Sequence, residues 1–421
     1  MNETLVIVGP NACGKSTYVD KMVREYTFRY SADHVRYLTF RDTYGAADAG
    51  YYLQQRWNSG EYDLVPTVAE SLGTPADPQM WERVSGMFGL EEMLPKPLIM
   101  LSSGELRKYQ LARAIASGPK VLIIDSPFIG LDEAARGQFA ALLGALAAGD
   151  DIQLILVVAR ECDVPSFATR IMRMEAVPTD AMSIDEACAK VAALGGFDPG
   201  YENAVCLDKV SIRFGERTIL KELDWTMKAG EKWALEGPNG SGKSTLLSII
   251  CADIPQAYAC KVTLFDRRRG TGESIWDIKK HIGFVSPELH RAYSHNVPVL
   301  DVVASGLHDR KGMYVKTSEE HIPDCEFWLS VFGISHLRDR SFLKISSGEQ
   351  RLVLLARAFV KDPDLLILDE PLHGLDENNG ERVKAIIDAF ASRKGKSLIM
   401  VSHYKEDFPP CISKHLLLQK H

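Results

Sequence analysis

One nine-residue string occurs twice in this chain, as GPNACGKST at Gly9–Thr17 and as GPNGSGKST at Gly237–Thr245. Each copy follows an apolar run of strand length and precedes a helix-like stretch, the context in which G-x-x-x-x-G-K-S/T builds a phosphate-cradling loop. Three further landmarks recur behind it. LSSGE at Leu101–Glu105 returns as ISSGE at Ile345–Glu349, VLIIDSP at Val121–Pro127 as LLILDEP at Leu365–Pro371, and LILVVARECDVP at Leu154–Pro165 as LIMVSHYKEDFP at Leu398–Pro409. These three pairs all lie 244 residues apart, so no net insertion or deletion separates them. The glycine loops are 228 apart, which gives the second copy a net 16 extra residues, mainly in Leu246–His281. The chain is one unit written twice.

Within each copy, short apolar runs alternate with helical patterns: Leu5–Val8, Val121–Ile124 and Leu154–Val158, then Trp233–Leu235, Leu365–Leu368 and Leu398–Val401. Uninterrupted runs of this length suit strands buried on both faces of a mostly parallel sheet, so the fold class is α/β with two phosphate-loop domains in tandem. The expected domains are 1–175, a polar linker 176–203 with a helical stretch at Ser183–Leu194, and 204–421. Ahead of its glycine loop the second copy carries Val205–Glu236, which reads as short alternating strands with a turn at Phe214–Gly215. The first copy begins eight residues before Gly9, so it either lacks that leading sheet or has a misplaced start.

With 46% apolar and 25% charged residues, composition excludes disordered, collagenous and coiled-coil readings. No run approaches the roughly 18 apolar residues of a membrane span. The net charge of −7 gives no general attraction to polyanions, so a nucleic-acid role needs a local basic face. The eight cysteines are scattered without CxxC spacing, the pattern of reduced thiols. Arg267–Arg269 reads as a solvated turn and Trp225 and Trp276 as packing residues, while His281, His290, His295 and His308 show no metal-ligand spacing. Cys13 lies inside the first loop and reads as a reduced thiol like the others, the alternative being a site where oxidation blocks nucleotide entry.

The loop residues carry the chemistry. Gly9, Asn11, Gly14, Lys15, Ser16 and Thr17 in the first copy, and Gly237, Asn239, Gly240, Gly242, Lys243, Ser244 and Thr245 in the second, are the expected nucleotide-binding sets. Backbone N–H groups and the helix N-terminus hold phosphate oxygens, and lysine reaches the terminal phosphates. Ser16 with Asp125, and Ser244 with Asp369, are the expected Mg²⁺ sites, each aspartate ending a hydrophobic strand.

These landmarks in this order resemble the ATP-binding cassette (ABC) ATPases: Walker A, the LSGGQ-like signature, Walker B and the switch histidine. The tandem arrangement and the segment RRRGTGESIWDIKKHIGFVSPELH at Arg267–His290 are similar to the ModF-like twin-cassette proteins, associated with molybdate transport and also called photorepair-type ATPases. The resemblance implies ATP and Mg²⁺ as cofactors and cassettes pairing head to tail. Ser346, Gly348 and Glu349 would then cover ATP on the first cassette, and Ser102, Gly104 and Glu105 ATP on the second. Both signatures depart from the family by Ser103 and Ser347 in place of glycine and by glutamate in place of glutamine.

The copies also differ from each other. Glu370 stands where the family places the base for the attacking water, and His403 at the switch position; the first copy has Ser126 and Ala159 there. The resemblance therefore implies hydrolysis at the second cassette's Walker residues, with the first binding MgATP and turning it over slowly. The alternative is a first cassette that has drifted and binds nothing. The family's Mg²⁺-contacting glutamine should fall near Pro287 and near Phe40, and neither is glutamine; Gln54, Gln55 and Gln350 are out of register. Phe214 is the candidate for stacking on the base.

Two functional classes stay open. One is the cytoplasmic ATPase component of a transport system at the inner face of a membrane, working with a separately encoded permease and alternating between open and closed forms. The other is a soluble ATP-driven switch acting on nucleic acid or a ribonucleoprotein, opposed by the acidic balance and favoured by the missing coupling glutamines and the basic turn. A third reading is nucleotide-gated binding with negligible turnover.

Overall fold

The computed structural model describes residues 3–11, 13–39, 66–72, 81–82, 85–86, 88–98, 101, 103–128, 131, 133–149, 152–175, 181–214, 217–238, 240–287, 289, 293, 296–308 and 317–420. Of Ser103, Gly104, Glu133, Ala134, Phe214 and Arg217 only the backbone is described. The chain divides into two compact units. The described residues up to 175 together with 373–377 form the first, and the other described residues the second.

In the first unit the apolar runs become β1 (Leu5–Val8), β3 (Val121–Asp125) and β4 (Gln153–Val158), joined by β2 (Val35–Thr39) and β5 (Arg170–Arg173). All pairings are parallel and the order is β2-β3-β4-β1-β5. The three central strands are apolar at nearly every position because helices cover both faces. On one face Leu122, Ile124, Leu154 and Leu156 meet Leu111, Ile115, Leu143 and Leu146 of the helices Ser103–Ala116 and Glu133–Ala147. On the other, Ile7, Ile123 and Ile155 meet Val19 and Met22 of the helix Lys15–Tyr30.

The second unit repeats this sheet as β11 (Ile282–Val285), β12 (Leu365–Asp369), β13 (Ser397–Val401), β8 (Lys232–Glu236) and β14 (Lys414–Leu417), again all parallel. It adds an antiparallel sheet in the order β10-β9-β6-β7, built from β6 (Asn203–Phe214), β7 (Arg217–Lys228), β9 (Lys261–Leu264) and β10 (Arg267–Arg268). The short strands expected from sequence are instead one long hairpin of two 12-residue strands, kept continuous by local register shifts.

The extra residues of the second copy have a structural address. Leu5 and Trp233 hold matching register against Ile155 and Ile399 and are 228 apart, whereas Val35 and Ile282, matched against Val121 and Leu365, are 247 apart. The added length between them forms β9, β10 and the helix Ile275–Lys279, and β9 pairs with β6. The leading segment and the insertion are thus one sheet. Among the described residues the first unit has no counterpart of it. Its glycine-loop helix is polar accordingly: Ile249 is fully buried in the second unit, while Lys21, 228 residues earlier, is exposed.

Three expectations need correction. The basic turn is not uniformly solvated, because Arg269 is buried at 4% exposure, paired with Glu273 at 3.0 Å and set over the ring of Tyr258. Trp276 is not a packing residue but stands 59% exposed on its short helix, whereas Trp225 is buried edge-on against Trp233. The described part of the stretch expected as a linker, from Ala181 onward, belongs to the second unit. Its helix Ile184–Ala193, capped by Ser183, is followed by a segment held down by side chains of that unit. Arg393 donates to the Gly195 carbonyl, the Phe197 N–H donates to the Lys394 carbonyl at 3.0 Å, and Lys396 lies over the Phe197 ring.

Asp362 anchors those cations, accepting from Arg393 at 2.6 and 2.9 Å and facing Lys396 at 3.0 Å. Burial alone would raise the Asp362 carboxyl; Arg393 and Lys396 outweigh it and hold the group below its usual range. Its contribution is therefore present above the unfolded carboxylate range and is lost as pH falls. Asp362→Ala leaves two buried cations short of a partner. It should cost about 2 kcal/mol in urea unfolding, below the usual loss for a broken buried pair because Asp362 keeps 44% exposure.

Candidate functional site

Parallel order brings the C-terminal ends of β1, β3 and β4 to one edge of the first sheet, and those of β8, β12 and β13 to the same edge of the second, where open α/β sheets bind ligands. The glycine loop leaves β1 and turns through Gly14, at φ 91°, into the helix Lys15–Tyr30. Gly242, at φ 94°, does the same ahead of the helix Lys243–Ile250. The loop's first glycine is demanded by close approach: a Cβ on Gly9 would lie 2.7 Å from the Met174 carbonyl, and one on Gly237 2.6 Å from that of Leu418. Each contact comes from the residue just beyond the edge strand that flanks the loop.

Lys15 donates to the Gly9 and Pro10 carbonyls at 2.5 Å each, and Lys243 to Gly237 at 2.6 Å and Pro238 at 3.2 Å. Burial lowers the Lys15 ammonium below its ordinary value, opposed by Cys13 and nearby carboxylates. Ser16 and Ser244 are exposed at the helix starts, Thr17 is exposed and Thr245 half-buried, and Asn11 is half-buried in its loop. Gly240 is exposed at a positive φ of 78°. Asn239, Ser102 and Phe40 lie outside the described residues, and nothing is described of the Phe214 side chain.

Next to each strand-ending aspartate the backbone does something costly. Ser126 sits at φ 55° and Glu370 at φ 52°, a left-handed conformation that non-glycine residues adopt only when their surroundings impose it. The imposing bonds are the same in both units: Ser126 N–H donates to the Val157 carbonyl at 2.8 Å, and Glu370 N–H to that of Val401 at 3.0 Å. In the second unit Arg351 adds a second hold, donating to the carbonyls of Asp369 at 3.1 Å, Glu370, and Pro371 at 3.4 Å. Sequence reasoning passed over Arg351. Its signal was the repeated arginine two places beyond the signature glutamate, Arg107 and Arg351, both buried.

The two turns present different side chains. Glu370 is half-buried with its side chain 13% exposed, its buried Oε1 lacking a hydrogen-bond donor and His403 Nε2 at 3.7 Å. Burial first, then the Asp369 and Asp407 carboxylates, push the Glu370 carboxyl up to about 8. His403 follows Ser402, whose hydroxyl donates to Asp407 at 2.7 Å and fixes that loop. In the first unit Ser126 donates its hydroxyl to Asp125 Oδ1 at 2.9 Å, and Ala159 stands where His403 does.

The signature positions start helices. Ser346 caps the helix Ser347–Phe359, accepting from Glu349 N–H at 3.3 Å while the Glu349 carboxylate accepts from Ser346 N–H at 2.7 Å. Glu349 is thereby committed to the cap, whereas the Ser346 hydroxyl keeps its own proton to donate. Gly348 is buried, and Gly104 lies in the helix Ser103–Ala116. Glu105 pairs with Lys96 at 2.6 Å. Pro287 follows β11 at the place expected for glutamine, and Gln350 is turned away to the Phe342 carbonyl at 2.7 Å.

Among the described residues no group of three or more His, Cys, Asp and Glu side chains could hold a metal. A serine hydroxyl at a helix start with one strand-end aspartate is instead the sparse oxygen set that suits Mg²⁺, which keeps waters and takes its other ligands from phosphates.

Two phosphate loops, each with its strand-end aspartate and a signature helix, define a twin nucleotide-binding protein. The chain belongs to the ABC transporter family, whose model matches residues 1–129 and 220–373. It is similar to the ABC transporter ATP-binding protein ModF of Escherichia coli, at 36% identity over 98% of this chain and 91% of that protein. An uncharacterized ABC transporter ATP-binding protein of Schizosaccharomyces pombe is 27% identical over 79% of this chain and 71% of its own length. Among solved structures, a model of ribosome-bound archaeal Pelota and ABCE1 matches 95% of this chain and 70% of its own at a TM-score of 0.55 and 18% identity, a likeness of fold alone. No described helix is long and apolar enough to cross a membrane.

The Glu370 geometry has a thermodynamic consequence. A carboxyl whose folded value is raised binds more protons folded than unfolded, so stability falls as pH rises from about 4.5 towards 8. Glu370→Gln removes that penalty. Its melting temperature should exceed that of the native chain by a margin that grows across this window, with a ceiling of about 1.4 kcal/mol per pH unit. Thermal unfolding of nucleotide-free protein at pH 5 and pH 8.5 measures it; a margin constant with pH would refute the assignment.

Proposed function

We propose that the chain is an ATPase with one hydrolytic and one retentive site. The observation that carries this reading is the pair of matched left-handed turns, one presenting Glu370 beside His403 and the other presenting Ser126 near Ala159. At the second unit's site Lys243 and the loop N–H groups bind the phosphates, and Ser244 and Asp369 would hold Mg²⁺, which neutralises charge developing on them. Glu370, in its charged form, accepts a proton from the attacking water, and His403 orients beside it. The sparsely solvated pocket raises the carboxylate's basicity, which suits a general base near neutral pH. At the first unit's site Lys15, Ser16 and Asp125 supply binding, but a serine hydroxyl next to Asp125 is no base. ATP there is held and turned over slowly.

Glu370→Gln should lower steady-state ATP hydrolysis by roughly 10²–10⁴-fold while nucleotide binding persists. Activity comparable to the native chain would exclude the second unit as the hydrolytic one. Ser126→Glu tests the converse and should restore only part of the first site's turnover, since Ala159 supplies no imidazole.

We further propose that this ATPase serves a transport system as the partner of a separately encoded permease, working from the cytoplasmic side, with an oxyanion such as molybdate as the substrate class suggested by the similarity to ModF. A second reading, an ATP-driven switch on nucleic acid or a ribonucleoprotein, is favoured by Pro287, which cannot replace a coupling glutamine. Retention of the tagged chain on membranes in ATP-free buffer supports transport. Salt-sensitive recovery of RNA with it supports the switch.

A further inference from the structure

Tyr37 lies on β2 in register with Ile123 of β3, and its hydroxyl donates to Asp125 Oδ2 at 3.0 Å. Ser126 Oγ donates to Asp125 Oδ1 at 2.9 Å. Each oxygen of this carboxylate therefore accepts a hydroxyl from its own unit. The second unit has neither donor in the matching places. Phe284 holds the same register against Ile367, 244 residues beyond Ile123, and the residue after Asp369 is Glu370. Packing does not explain the difference. Tyr37 is 37% exposed, and the ring of phenylalanine would cover the same neighbours.

We propose that Tyr37 and Ser126 form a carboxylate clamp that weakens the hold of the first site on Mg²⁺, so that nucleotide there draws less of its affinity from the metal, with Tyr37 as a positioning residue. The inference rests on the reading of Asp125 as the metal-facing aspartate. An ionised carboxylate offers about four acceptor directions. Two are taken by the hydroxyls, and hydrogen bonds from them draw charge off both oxygens, so the group attracts a cation or its bound water less strongly. Ser126 Oγ also fixes the rotation of the carboxylate. Nucleotide at this site is then held chiefly by the loop N–H groups and Lys15, and loss of metal releases it slowly. That is the behaviour a retentive site needs. In the second unit Phe284 has no hydroxyl to bring to Asp369.

The test uses the whole chain with Lys243→Ala to silence the second loop, and titrates a fluorescent ATP analogue over a buffered Mg²⁺ series. Adding Tyr37→Phe should lower the Mg²⁺ concentration for half-maximal binding about tenfold, which corresponds to about 1.4 kcal/mol, with affinity in metal-free buffer unchanged. The reverse change, Phe284→Tyr in a Lys15→Ala chain, should raise the requirement of the second site. An unchanged or higher requirement in Tyr37→Phe overturns the clamp while leaving the retentive site intact. No binding at all in the Lys243→Ala chain overturns the first-site reading and the clamp with it. If Tyr37→Phe does not fold, Phe284→Tyr decides alone, an unchanged requirement overturning the clamp.

Discussion

In each unit a single backbone hydrogen bond decides how the side chain after the strand-end aspartate is presented. The residue after the strand-end aspartate donates its N–H to the neighbouring parallel strand, Ser126 to Val157 and Glu370 to Val401, and is thereby forced to positive φ. That conformation costs on the order of 1–3 kcal/mol and persists because β3 and β4, or β12 and β13, are locked in register by buried Leu, Ile and Val. It sets the direction of one side chain at the strand end, Ser126 onto Asp125 and Glu370 beside His403. The scaffold therefore delivers a side chain to the same place twice and leaves its identity to decide the chemistry.

That separation of scaffold from side chain explains how two copies with the same register can differ so far in reactivity. The first unit keeps the loop, its lysine, its aspartate and the costly turn. It lacks the carboxylate and the imidazole of the second unit, and a serine hydroxyl is satisfied on Asp125 instead. In the second unit the buried Glu370 carboxyl gains no donor on Oε1, and its raised proton affinity follows from that isolation. Such a group weakens the fold and is retained where basicity is useful. The antiparallel sheet is a further difference, and its effect is visible on the glycine-loop helix, where Ile249 is covered and Lys21 is not.

Much of this was legible beforehand, for a physical reason. Strands covered on both faces must be apolar at every position, so β1, β3, β4, β12 and β13 stand out as short runs and their boundaries come within a residue of those read from composition. The edge strands do not. RIMR in β5 and KHLL in β14 are largely exposed, lack an apolar run, and become strands only because β1 and β8 offer them unpaired backbone. The basic turn misled for the same reason: three adjacent arginines look alike in sequence, yet the β9–β10 hairpin turns Arg269 inward to Glu273 and Tyr258 while Arg267 and Arg268 stay outside.

By itself the sequence determined the doubled phosphate loop, the family and the list of groups available to each site, since these are matters of residue type at fixed spacing along one chain. Tertiary structure alone decided which groups meet. Tyr37 reaches Asp125 across 88 residues because β2 and β3 pair in one register. Arg351 grips the turn after Asp369 because a helix crosses that strand end. Whether Glu370 is basic depends on the burial around it. Spacing along a chain fixes chemistry only within a turn or a loop, whereas contacts between distant segments are set by sheet register and burial.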